Sequence, residues 1–79
     1  MIQIYYADQN ENGSHKYEVI YKRHYIIFDH VFFDKRGDIT DWELMDTQDE
    51  FNVPVNLDLS DIEIKIMLAG IELYHLKHK

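Results

Sequence analysis

Cysteine is absent from this 79-residue chain. That excludes a disulfide framework, a zinc–thiolate site and a cysteine nucleophile. Proline occurs once, at Pro54, and glycine three times, at Gly13, Gly37 and Gly70. Three isolated glycines match neither a phosphate loop nor a dinucleotide fingerprint. Serine occurs only at Ser14 and Ser60, the first in a turn sequence and the second in a helix-capping sequence, and neither sits in a nucleophile elbow. No apolar run reaches the roughly 18 residues that a membrane span needs. The opening Met-Ile-Gln-Ile-Tyr-Tyr-Ala-Asp has no basic region and no small-residue cleavage site, so it does not read as a secretory signal. The expectation is a cytoplasmic protein with no membrane partner.

The composition is 46% hydrophobic and 29% charged, which suits one folded domain over residues 1–79, near the lower size limit for a single core. The net charge is −7, and it is unevenly placed. Residues 1–36 balance five acids with five bases, and residues 65–79 are slightly basic. Residues 37–64 contain nine acids and no Lys or Arg: Asp38, Asp41, Glu43, Asp46, Asp49, Glu50, Asp58, Asp61 and Glu63.

The first half reads as β. Ile2, Ile4 and Tyr6 alternate with Gln3 and Tyr5, the period of a strand. Asn12-Gly13 signals a hairpin turn, and Tyr17, Val19 and Tyr21 give the return strand. Tyr25 to Asp34 is denser, with Ile26, Ile27, Phe28, Val31, Phe32 and Phe33 leaving neither face polar. Such a strand is buried on both sides, or one face meets another chain. Lys35-Arg36-Gly37-Asp38 is a further turn. Ile39 to Asp46 is a fourth strand, with Thr40, Trp42 and Leu44 on one face and Ile39, Asp41, Glu43 and Met45 on the other.

Residues 47–58 read as a loop around Val53-Pro54-Val55. Ser60-Asp61-Ile62-Glu63 is a capping box, which starts a helix. Gly70 is then expected to end that helix in left-handed geometry, with Ile71 to Leu76 as a final strand. The rival is one helix from Asp61 to His78 with Gly70 inside it, at a cost of roughly 1 kcal/mol relative to alanine. A further alternative, a strand through Ile62, Ile64 and Ile66, conflicts with the capping box. The expected class is α+β: a four- to five-stranded, mostly antiparallel sheet with one helix packed on it.

The chemistry is sparse. His75 and His78 would share a helix face but not a strand face, and His24, Asp29 and His30 have no ligand spacing, so no metal or cofactor is expected. Carboxylate pairs such as Asp41/Glu43 or Asp49/Glu50 are available, but a domain this small seldom forms the cleft that a glycosidase pair spans. No catalytic residues are expected and the chain reads as a non-enzyme. Direct nucleic-acid binding is disfavoured, because Lys22/Arg23 and Lys35/Arg36 are isolated pairs without a basic face. The tyrosines Tyr5, Tyr6, Tyr17, Tyr21 and Tyr25 read as sheet packing rather than base stacking.

The acidic tract is the sharpest feature. Asp38, Asp41, Glu43, Asp46, Asp49 and Glu50 can form a ribbon of negative potential that steers toward a basic groove. Trp42 and Phe51 within it supply aromatic contact area of the kind found at interface hot spots. The plain reading is a solvated acidic surface that aids solubility. Ordinary surfaces intersperse both signs, however, and this tract does not.

In size, in the all-acidic stretch from Asp38 to Glu63 and in its isoleucine-rich, AT-codon usage, the chain resembles small acidic inhibitor proteins encoded by phages. These include DNA-mimic anti-restriction proteins, anti-CRISPR proteins and uracil-DNA glycosylase inhibitors. The short β-rich start followed by Leu59-Ser60-Asp61-Ile62-Glu63 and a late strand is loosely similar to one group of glycosylase inhibitors. The resemblance implies a mode of action: binding a basic, nucleic-acid-handling enzyme in the host cytoplasm. The alternative is a homodimeric structural or regulatory module, using the second apolar face of Tyr25–Phe33, or an antitoxin or immunity-type protein.

Overall fold

The computed structural model describes residues 2–78. Four strands, β1 (Ile2–Gln9), β2 (His15–Tyr21), β3 (His24–Phe33) and β4 (Ile39–Gln48), precede one helix, α1 (Asp61–Lys77). The strands form an antiparallel meander in the order β1-β2-β3-β4, so β1 and β4 are its edges. The helix lies on one face, and the fold is α+β.

Three of the turns share one geometry. Asn10–Ser14, Asp34–Asp38 and Asp49–Val53 each donate from the first N–H to the fifth carbonyl, at 2.8 to 2.9 Å. In each, the fourth N–H donates back to the first carbonyl, at 3.0 Å. The fourth residue is left-handed in all three: Gly13 at φ 89°, Gly37 at φ 91° and Asn52 at φ 63°. An Asx residue three positions ahead of Gly or Asn is thus the repeated turn signal. The β2–β3 connection is tighter. Lys22 and Arg23 alone span it, at φ 49° and 65°, a type I′ arrangement that ordinarily selects Asn-Gly.

The core lies between the sheet and α1, where Tyr17, Val19, Ile26, Phe28, Val31, Met67 and Ile71 are fully or almost fully buried. Phe28 and Val31 both face it although they are three apart, which strict alternation forbids. A bulge at Asp29–His30, with His30 left-handed at φ 51°, restores the phase. The buried Asp29 accepts from Asn10 Nδ2 at 2.9 Å and from the His30 N–H at 2.7 Å. Burial pushes its carboxyl up, but these bonds and the charges of His30 and Lys16 outweigh that and hold it below the usual range.

Two expectations are overturned. The final segment is one helix through Lys77, with no fifth strand. Gly70 lies inside that helix and does not end it, because α1 crosses β1 there: a Cβ at Gly70 would stand 3.2 Å from Ile4 Cδ1. The rest of the segment satisfies both periods, and burial of Met67, Ile71 and Tyr74 against the sheet decides for the helix. Second, Ile39 packs against the core and not with Asp41, since a register shift between Phe32/Asp41 and Phe33/Ile39 turns the start of β4 over. Residues 47–58 are partly ordered as well, because β4 runs to Gln48, which bridges to Pro54, and the Val55 N–H donates to the Thr47 carbonyl at 3.0 Å.

Candidate functional site

All eight residues of the expected binding face lie on β4 or its two flanking turns. Asp38 closes the turn before it, Asp41, Trp42, Glu43 and Asp46 are on the strand, and Asp49, Glu50 and Phe51 form the turn after it. Cross-strand pairing sets their directions. Asp41 pairs with Phe32, Glu43 with Asp29 and Asp46 with Ile27, and those three β3 positions alternate with the core-facing Val31, Phe28 and Ile26. Asp41, Glu43 and Asp46 therefore point away from α1. Glu43 and Asp46 are an odd number of residues apart, and the register shift at Met45 brings them to one face.

Trp42 faces the other way. Its ring meets that of Phe28 at 5.7 Å between centroids, and it lines a hollow with Ile64, Lys65 and Leu68 of α1. It is a partly open lid on the core, at 37% exposure, whereas Phe51 stands free at 76%. The structure thus separates the two aromatic residues from each other and Trp42 from the carboxylates.

The fold also sets basic groups against the acidic tract. Arg36 Nη2 pairs with Asp38 at 3.0 Å and His30 Nε2 lies 3.8 Å from Glu43. Lys22, Arg23 and His24 share a surface hollow with Asp49, Glu50 and Phe51. Among the described residues, no cation is paired with Asp41 or Asp46. Asp49, Glu50, Asp58 and Asp61 likewise have no paired cation among the described residues, so Asp41 and Asp46 are the unpaired acids that lie on the strand itself. Asp49 also has a structural duty, since its Oδ1 accepts from the N–H groups of Phe51 at 2.8 Å and Val53 at 3.0 Å.

Of the remaining acids, Glu63 is bound into the cap. Ser60 N–H and Oγ each donate to Oε1 at 3.0 Å, and the Glu63 N–H returns a bond to Ser60 Oγ at 3.2 Å. Those bonds, Tyr21 and nearby Lys22 hold its carboxyl down at about 2. Glu72 Oε2 accepts from the Ile39 N–H at 2.7 Å, fastening α1 to the start of β4.

A second concavity, of about 290 Å³, is lined by Tyr6, His15, Tyr17, Tyr74, His75 and His78. Tyr6 Oη and His15 Nδ1 share a hydrogen bond at 3.0 Å. Partial burial lowers the His15 pKa, and burial together with Tyr6 and Tyr74 pushes the Tyr17 hydroxyl up to about 12. His75 lies in the last turn of α1 and His78 caps its end, and their rings diverge. His75 stacks on Phe33 at 3.7 Å and His78 on Tyr74 at 4.0 Å. Among the described residues, no group of three His, Asp or Glu side chains is placed to hold a metal ion. The cluster joins residues from β1, β2 and α1, so no spacing in the sequence announces it. Among those residues, too, no helix is long and apolar enough to cross a membrane.

Comparison with protein-family models, with curated proteins and with solved structures gives no match to this chain.

Proposed function

We propose that this chain is a non-enzymatic binding protein that inhibits a nucleic-acid-handling enzyme in the cytoplasm by occupying its basic groove. The observation that carries the reading is the outward row Asp41, Glu43 and Asp46 on an edge strand, with no cation paired to Asp41 or Asp46 among the described residues. Same-face neighbours on a strand are about 6.8 Å apart, so Asp41 and Glu43, with Asp46 beyond the register shift, offer anions to the Lys and Arg groups that ordinarily meet phosphates. Phe51, exposed at the adjoining turn, supplies apolar contact area. Asp38, Glu50 and Asp49 add to the field at the two ends, where Arg36 and Lys22/Arg23 moderate it.

The test is inhibition of a panel of purified nucleases, DNA glycosylases and DNA methyltransferases, with duplex DNA as competitor. The reading expects one enzyme to be inhibited competitively with DNA, more weakly as salt rises. Reversing the row with Asp41→Lys, Glu43→Lys and Asp46→Lys should abolish that inhibition while the fold is retained. Inhibition that survives the triple reversal, or that DNA does not relieve, would sink the proposal.

A further inference from the structure

The inner face of α1 covers the sheet, and its outer face is also apolar. Ile62, Ile66, Leu73 and Leu76 are 71%, 52%, 54% and 48% exposed, and Ala69 between them is exposed too. Globular surface helices place polar residues on that side. The spacing of the five is four, three, four, three, which is the 3.5-residue period of a helix–helix seam. It runs for about 21 Å along the helix. The seam is also close to symmetric about Ala69: Ile62 and Leu76 lie equally far on either side, and Ile66 and Leu73 nearly so.

We propose that this seam is a self-association surface, on which two copies of the chain pair their α1 helices antiparallel about a two-fold axis at Ala69. A two-fold contact must be complementary to itself, and an antiparallel pairing of a seam symmetric about its own midpoint satisfies that. The charges select the direction. Asp61 and Glu63 lie at the start of α1 and Lys77 at its end. Antiparallel pairing sets the acidic start of each helix, with its exposed Asp61, against Lys77 of the other. Parallel pairing would place Asp61 beside its own copy. The helix dipoles give the same preference. Ala69 lets the axes approach at the crossing. Beside the seam, a hollow of about 450 Å³ lined by Ile2, Ile4, Gly70 and Leu73 gives side chains of the second helix somewhere to enter. This interface lies on the opposite side of the sheet from Asp41, Glu43 and Asp46, so the dimer leaves both acidic rows free.

Sedimentation velocity on the full chain, from about 10 to 500 μM, tests the state of association. A concentration-dependent dimer is expected, weakened roughly hundredfold by Leu73→Glu. Ile62→Glu, at the exposed start of the helix, gives the same readout if Leu73→Glu fails to fold. The chain has no cysteine of its own, so introduced thiols report direction. With oxidised glutathione, an equal mixture of Ile62→Cys and Leu76→Cys should cross-link as the heterodimer, and Ile62→Cys alone should not. A monomer throughout the concentration range overturns the proposal, including one that instead binds phosphatidylcholine vesicles. So does efficient self-cross-linking of Ile62→Cys, which would mean parallel helices.

Discussion

The Tyr21 hydroxyl donates to Glu63 Oε2 at 2.7 Å, joining the end of β2 to the first turn of α1 across 42 residues of sequence. Glu63 thus closes the capping box with one carboxylate oxygen and anchors the helix to the sheet with the other.

Acid should release this anchor. The Glu63 carboxyl titrates near 4.5 in the unfolded chain and at about 2 in the folded one. Its folded pKa is depressed, so its stabilising contribution is complete above about 4.5 and is lost as pH falls through about 2. Glu63→Gln keeps the shape and removes the charge. Its thermal midpoint should lie below that of the wild type at pH 7, and the two should converge as pH approaches 2. Parallel melting curves that never converge would show that the charge is not the stabilising feature.

Gly70→Ala tests the helix crossing. Alanine favours a helix interior by roughly 1 kcal/mol over glycine. The new Cβ would stand 3.2 Å from Ile4 Cδ1, the free end of a side chain on an edge strand, which can move by a few tenths of an ångström. A rise in melting temperature of about 3 °C is expected. Gly70→Val should lower it, because the larger, β-branched side chain drives into Ile4. A fall with alanine itself would mean that β1 and α1 are held too firmly to yield.

The β2–β3 turn carries avoidable strain. Lys22 and Arg23 both occupy left-handed backbone, which is costly for side chains of this kind. Lys22→Asn with Arg23→Gly supplies the residues a type I′ turn prefers. The ion pair lost with Lys22 is 3.9 Å long and Lys22 is exposed, so it contributes little. The double variant should melt roughly 5 °C higher. No change, or a fall, would show that the Lys22–Glu63 contact outweighs the backbone strain.

Much of the architecture was legible in residue order. Alternation in Ile2–Tyr6 and Tyr17–Tyr21 located two strands, since a strand with one buried face must alternate. Ser60 and Glu63 located the start of the helix, because capping is satisfied within four residues. Asn12-Gly13 and Lys35-Arg36-Gly37-Asp38 marked two turns for the same reason. These signals are local, and local chemistry suffices to read them.

The sequence by itself determined the number and type of the early strands, the helix start and the absence of basic residues across positions 37–64. Tertiary structure decided the rest. Gly70 looked like a helix end, and only the burial of Met67, Ile71 and Tyr74 against the sheet carries the helix through it. The bulge at His30 and the shifts along β4 decided which side chains face out, and a one-residue shift reverses a face. The acidic tract shows the difference most clearly. As a string it is an unbroken run of negative charge, but electrostatics acts through space. Folding brings Lys22 and Arg23 to one end and turns neighbouring Arg36 onto Asp38 at the other, and among the described residues no cation is paired with Asp41 or Asp46 at the centre of the sheet edge.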